Sequence, residues 1–130
     1  MKIIIKSKQD YKTYTEEYTE EFECSVEEND NIITINFENG SIQIEENKII
    51  YERNENKIII EAGKTIPCDY ETQYGMFVLD IKGLEVNKLV ENVISIENSN
   101  EIMVIANSKY EIQMVGIESY ENQIEISISK

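Results

Sequence analysis

Arg53 is the only arginine in the chain, and it ends the run Lys48-Ile49-Ile50-Tyr51-Glu52-Arg53. In a strand of period two, Arg53 shares a face with Ile49 and Tyr51, the face an all-β protein turns inward. A guanidinium placed there must meet an anion, because leaving it unpaired among apolar groups is very costly. Glu38, from the neighbouring hairpin, is the candidate partner, and Tyr70, Thr72 and Tyr74 supply further hydrogen-bonding groups. Arg53, Glu38, Tyr51, Tyr70, Thr72 and Tyr74 therefore form the candidate ligand-binding set. They would grip the carboxylate of a small amphipathic or anionic molecule whose tail lies on Ile and Phe side chains. The simpler reading of the same residues is a structural Arg53–Glu38 ion pair, or an arginine solvated at a strand end.

Other chemistry is thinly represented. The chain has no histidine, so the commonest general base, zinc ligand and triad member is missing. Its five glycines are scattered and form no phosphate-binding loop. Cys24 and Cys68 have no metal-ligand spacing and no basic neighbours close in sequence. They read as small buried hydrophobes in a reducing compartment, with a single bridge between them as the alternative. No pair of carboxylates is singled out for acid–base work. The expectation is a protein that is not an enzyme, with no catalytic residue, cofactor or metal.

The balance of charge narrows the partners. At 26 acidic against 12 basic residues the net charge is -14 at pH 7. Such a surface repels phosphate backbones and anionic membrane, so neither nucleic acid nor membrane is expected. No window approaches the ~20 apolar residues of a membrane span, and the run Ile3–Ile5 is far shorter than a secretory core. A cytoplasmic protein is expected.

A chain of 130 residues is one domain large enough to bury a core without staples. Residues 2 to 8 read as a first strand. From Asp10 to Glu28 both periods are present: Tyr11, Tyr14, Tyr18 and Phe22 have helical spacing, while Tyr14, Tyr18, Phe22, Cys24 and Val26 share strand parity. Prominent Tyr and Thr and the lack of Ala and Leu favour a long strand from Thr13 to Val26, with an amphipathic helix as the alternative. Glu16-Glu17 and Glu20-Glu21 put carboxylates on both of its faces, which suits an edge or a rim.

From Asn31 onward short strands recur every eight to twelve residues. Ile33, Ile35 and Phe37 share a face, and Asn39-Gly40 is a hairpin signal. Strands follow at Ser41–Glu45, Lys48–Arg53 and Lys57–Ala62, then two around Gly75 within Lys64–Gly83, the second continuing through Leu84 and Val86. Val93–Glu97, Glu101–Ala106, Tyr110–Gly116 and Gln123–Ser129 complete the series, with turns at Asn107-Ser108-Lys109 and Ser119–Asn122. Runs of three isoleucines, Ile3–Ile5 and Ile58–Ile60, are apolar on both faces and need cover on both. Nine or ten antiparallel strands with short turns curl, and closing them into an up-and-down barrel removes exposed edges.

The run Tyr70-Glu71-Thr72-Gln73-Tyr74-Gly75, followed by an alternating strand, resembles the signature of the YwiB-like family of small bacterial proteins. Arg53 ending an apolar strand, Glu38 after an aromatic, and the closing strand Ile124–Ile128 extend the likeness over most of the chain. Phe37 where a tyrosine is usual, and an apparent insertion around Ser95–Glu101, depart from it. The resemblance implies a calycin-type, lipocalin-like β-barrel and carries no activity. The glycine-x-tryptophan feature of lipocalins is missing, since the chain has no tryptophan. Two functions follow as expectations: a binder of a small molecule at the barrel mouth, or a protein-interaction module or homodimer working through an exposed strand face.

Overall fold

The structure, a computed structural model, describes residues 1–130. Ten strands run β1 (Lys2–Asp10), β2 (Thr15–Asn29), β3 (Ile32–Phe37), β4 (Gly40–Ile44), β5 (Lys48–Arg53), β6 (Asn56–Glu61), β7 (Thr65–Thr72), β8 (Gly75–Lys88), β9 (Met103–Met114) and β10 (Ile117–Ser129). A single short helix, α1 (Val93–Glu97), interrupts them. Their order around the sheet is β6-β5-β4-β3-β2-β1-β10-β9-β8-β7, and every laddered pair is antiparallel. The expected up-and-down barrel is therefore present. Its two laddered ends, β6 and β7, come together without a ladder between them.

That seam is fastened by contacts of other kinds. At one end the Asn56 side chain clasps the backbone of Glu71, donating to its carbonyl at 3.0 Å and accepting from its N–H at 2.9 Å. In the middle the Cys68 thiol donates to the Lys57 carbonyl. At the other end the chain itself turns from β6 into β7, and this connection continues the β7–β8 ladder: Gly63 N–H donates to Gly83 O and Gly83 N–H to Lys64 O. Here β6 lies so close to β8 that a Cβ on Gly83 would stand 2.1 Å from the Glu61 carbonyl oxygen. Both cysteines are free.

All odd-to-even hairpins lie at one end of the cylinder, the mouth, and the remaining connections close the floor. The floor is solid. Ile33, Ile35, Ile42, Ile44, Ile49 and Ile126 all have no exposed surface, as alternation predicts for side chains converging inside. α1 caps this end by burying Ile96 in the same core. Asn92 caps α1, accepting from Ser95 N–H at 3.0 Å, and Glu28 at the end of β2 accepts from Val93 N–H. Ile4 faces outward between Glu21 and Ser127, yet is only 9% exposed, and outward Ile59 is half-buried opposite Ile50.

Several expectations need correction. Val93–Glu97 is α1 and not a strand. Glu101–Ala106 and Tyr110–Gly116 are one strand, β9, running straight through Asn107-Ser108-Lys109. Buried Ser108 survives mid-strand because its hydroxyl donates to the Glu85 carbonyl at 2.8 Å, where β8 bulges between Gly83 and Glu85. Ser119–Asn122 likewise lies inside β10. The β3–β4 turn is Glu38-Asn39, with Asn39 at φ 62°, and Gly40 is already in β4 opposite Phe37. The glycine is required for another reason: a Cβ there would meet the Phe37 ring at 2.7 Å. β2 is an interior strand, although its upper half, Thr15–Glu23, ladders only with β1, so its carboxylate-rich part does form a rim.

Candidate functional site

Above the packed floor the barrel is hollow. A cavity of about 490 Å³ opens at the mouth, walled on one side by Ile58, Phe77, Leu79, Ile112 and Met114 and on the other by polar groups of β1, β2, β5 and β10. Alternation alone positions these groups: each is the inward member of its strand at the level where the core isoleucines give way to larger or polar side chains.

Arg53, at the tip of β5, reaches across the short ends of β4 and β3 to β2. Its Nη1 donates to Glu20 Oε2 at 2.6 Å, and its guanidinium lies 4.9 Å from the centre of the Phe22 ring. Gly40, paired with Arg53 across the ladder, has no side chain, and the Phe37 ring lies over it and stacks on Phe22 with centroids 5.1 Å apart. Burial acts to weaken the arginine's basicity, but Glu20, hydrogen-bonded to it, and the nearby Tyr51 oxygen outweigh that, and its pKa is raised. Arg53 is thus a fixed cation, 30% exposed, seated on an aromatic bed with one carboxylate attached.

Four phenols converge on the cavity. Tyr51, Tyr70, Tyr110 and Tyr120 line it, and each acts electrostatically on at least one of the others. Burial pushes the Tyr110 phenol well above the ordinary value, only partly offset by the Asn122 amide beside it. A raised phenol pKa means stability that is complete below the unfolded value of 10.0 and is lost as pH climbs toward the folded one. Thermal unfolding measured above pH 10 should therefore show a steep loss of stability. Tyr110→Phe, which cannot ionise, should flatten that loss, and an unchanged slope would place the titration elsewhere. At the rim, Tyr11 stacks on Tyr14 with centroids 4.9 Å apart and meets Tyr120 in a tilted pair at 4.7 Å, and its hydroxyl donates to Gln9.

Of the six residues marked from the sequence, Arg53, Tyr51 and Tyr70 meet in this cavity. The other three do not. Glu38 is exposed in the β3–β4 turn, and Glu20 takes the role expected of it. Thr72 is spent on the β7–β8 turn, where its hydroxyl donates to Gly75 O and accepts from Tyr74 N–H. Tyr74 is 84% exposed at the tip of that turn. The Tyr70–Gly75 run therefore serves hairpin geometry beyond its first residue. Sequence reasoning missed Glu20, Tyr110, Tyr120 and Asn122. Strand parity of β2 puts Glu20 on the face of Phe22 and sets it apart from Glu17 and Glu21, but nothing local separated it from Glu16.

A second hollow of about 420 Å³ lies on the outer face of β1, β10, β9 and β8. Its lysines, Lys6, Lys8 and Lys109, stand among Glu17, Glu85 and Glu125, and only Tyr18 and Ile124 among its lining residues are hydrophobic. The mouth cavity, with an apolar wall and convergent polar groups, is the better-formed site.

No helix of the protein is long and apolar enough to cross a membrane. No family model matches the chain, and no curated protein does. Among solved structures, the ywiB protein from Bacillus subtilis is similar to it at a TM-score of 0.60 and 12% identity, over 97% of this chain and 87% of that one. At that identity the likeness is one of fold, and this chain has a YwiB-like barrel fold.

Proposed function

We propose that this protein is a non-enzymatic binder of a small amphipathic molecule, held in the barrel mouth with its polar end toward Arg53 and its apolar body against Phe77, Ile112 and Met114. The observation that carries this reading is the cavity of about 490 Å³ with a partly exposed arginine in its wall. A guanidinium has five N–H donors, and Glu20 takes one of the two on Nη1, so even with Tyr51 beside it an acceptor on the ligand finds a pre-oriented cation with donors to spare. The groups facing the cavity are otherwise phenols, amides, the Ser7 hydroxyl and hydrocarbon, with no base beside the serine, which favours recognition over chemistry. Native mass spectrometry of the full chain purified from its own host tests it. A retained small molecule, released on denaturation, is the expected result. Arg53→Met should weaken retention about tenfold or more, the usual worth of a charged hydrogen bond. Protein that is unliganded in every preparation would overturn the reading.

One observation favours a second reading, association of two copies. Met76, Val78, Val115 and Ile117, on the β8 and β9–β10 edges of the mouth, are between 57% and 100% exposed. A doubled mass in the same spectra, lost in Val78→Lys, would support it.

A further inference from the structure

Independently of what the cavity holds, we infer that the upper edge of β2, from Glu17 to Glu21, is a docking position for an extended segment of a protein partner. The segment adds to the sheet antiparallel to β2, with lysine or arginine at every second residue on its outward face and uncharged residues between.

The free edge follows from the register. Cys24 N–H donates to Met1 O at 2.9 Å, and the β1–β2 pairing runs without a shift from there to Thr15. Even-numbered residues of β2 therefore turn their N–H and C=O groups to β1, and odd-numbered residues turn theirs to the opposite side. On that side β3 meets Ser25, Glu27 and Asn29, and the chain then turns away at Glu38-Asn39. Above the turn nothing takes its place. Glu17, Thr19 and Glu21 are exposed, and no backbone bond outside the strand ladders reaches them. A strand that is interior lower down thus carries, above the β3–β4 turn, a row of unspent donors and acceptors, the template for strand addition.

The chemistry of the occupant follows from the charge beside that row. No lysine or arginine occurs between Lys12 and Lys48. On the outer face, Glu17 and Glu21 belong to no ion pair, although Lys8 stands opposite Glu17 on β1. On the inner face the carboxylates are already engaged: Glu20 accepts from Arg53, and Glu16 from the Tyr18 hydroxyl. An added strand is offered free carboxylates on its outward side only. In an antiparallel ladder the residues opposite Glu17 and Glu21 also point outward and exchange main-chain bonds with them, so a basic side chain there is held by backbone and by charge at once. A second copy of this chain fits badly, because pairing the edge with itself about Thr19 would set Glu17 against Glu21. The charge that turns away a like strand admits a basic one.

Three labelled nonapeptides, titrated into the full chain, separate the possibilities: one alternating lysine with threonine, the same peptide N-methylated at its lysines, and one with glutamate in place of lysine. N-methylation keeps the charge and removes the donors that would face β2. By fluorescence anisotropy the lysine peptide should bind about tenfold or more tightly than its N-methylated form, and the glutamate peptide should not bind. Hydrogen exchange at the Glu17, Thr19 and Glu21 amides should slow when the lysine peptide is present. Thr19→Pro, which removes an edge donor and no bond to β1, should weaken the lysine peptide about fivefold or more, the worth of one hydrogen bond. Equal affinity for the lysine peptide and either control would overturn the inference, as would no binding of the lysine peptide, or slowed exchange confined to other strands. Slowed exchange at the same amides on raising the concentration of the chain alone would give the edge to a second copy and overturn it too. The peptide comparison on the unmodified chain decides the matter even where Thr19→Pro does not fold.

Discussion

Ile126→Ala should lower the unfolding free energy by about 2–5 kcal/mol, the range for truncating a buried aliphatic side chain in a floor that cannot collapse around the gap. Ile126 has no exposed surface and stands between Ile5 and Ala106 in the middle of the β1–β10–β9 ladder. The matched control is Phe77→Ala, which removes a larger side chain from the wall of the mouth cavity. Phe77 is 39% exposed, and the space beside it is already open. Its truncation should cost well under half as much. Urea unfolding gives both numbers, read as a shift in midpoint at constant slope. Equal losses would mean that the barrel is not divided into a solid floor and a hollow mouth, and the site would lose its physical basis.

Gly83→Ala should destabilise the protein by about 1–3 kcal/mol although it adds a single methyl group. The added carbon would lie 2.1 Å from the oxygen and 2.6 Å from the carbon of the Glu61 carbonyl, so backbone must yield to backbone. It cannot yield without loss, because Gly83 also exchanges hydrogen bonds with Gly63 and Lys64 of the β6–β7 connection. Hydrogen exchange should show the Gly63 and Gly83 amides opening earlier than in the parent chain, while the β1–β10 ladder keeps its protection. An unchanged melting temperature would show that β6 and β8 are not in close contact at this point.

Which parts of this molecule could be read from its sequence depends on where the polar residues point. Ile33, Ile35, Ile42 and Ile44 alternate with polar neighbours that reach water, and period two was enough to place them inside. The same rule failed where polar residues face inward. Asn107-Ser108-Lys109 and Ser119–Asn122 read as turns because polar clusters usually leave a strand. Here Ser108 is satisfied by the β8 bulge, Asn107 accepts from Asn87 on the outer face, and Asn122 faces the cavity. The misread strand break in β10 was the site itself. Helix α1 left one legible mark, the Asn92 cap with Ser95 three residues on, but five residues are too few to establish a helical period. Arg53 could be aimed inward by parity, whereas its pairing with Glu20, 33 residues away, depends on how far β2 rises above β3.

The join between β6 and β7 sets where the wall is easiest to open. Along most of the circumference, changing the girth would break rows of ladder bonds at once. At the join only an amide clasp and a thiol contact resist, besides the turn that links the two strands. Such a hoop has a clasp and not a weld: its weakest point is the Asn56 bond near the rim, while the chain itself, turning through Ala62–Lys64, ties the two strands together at the base.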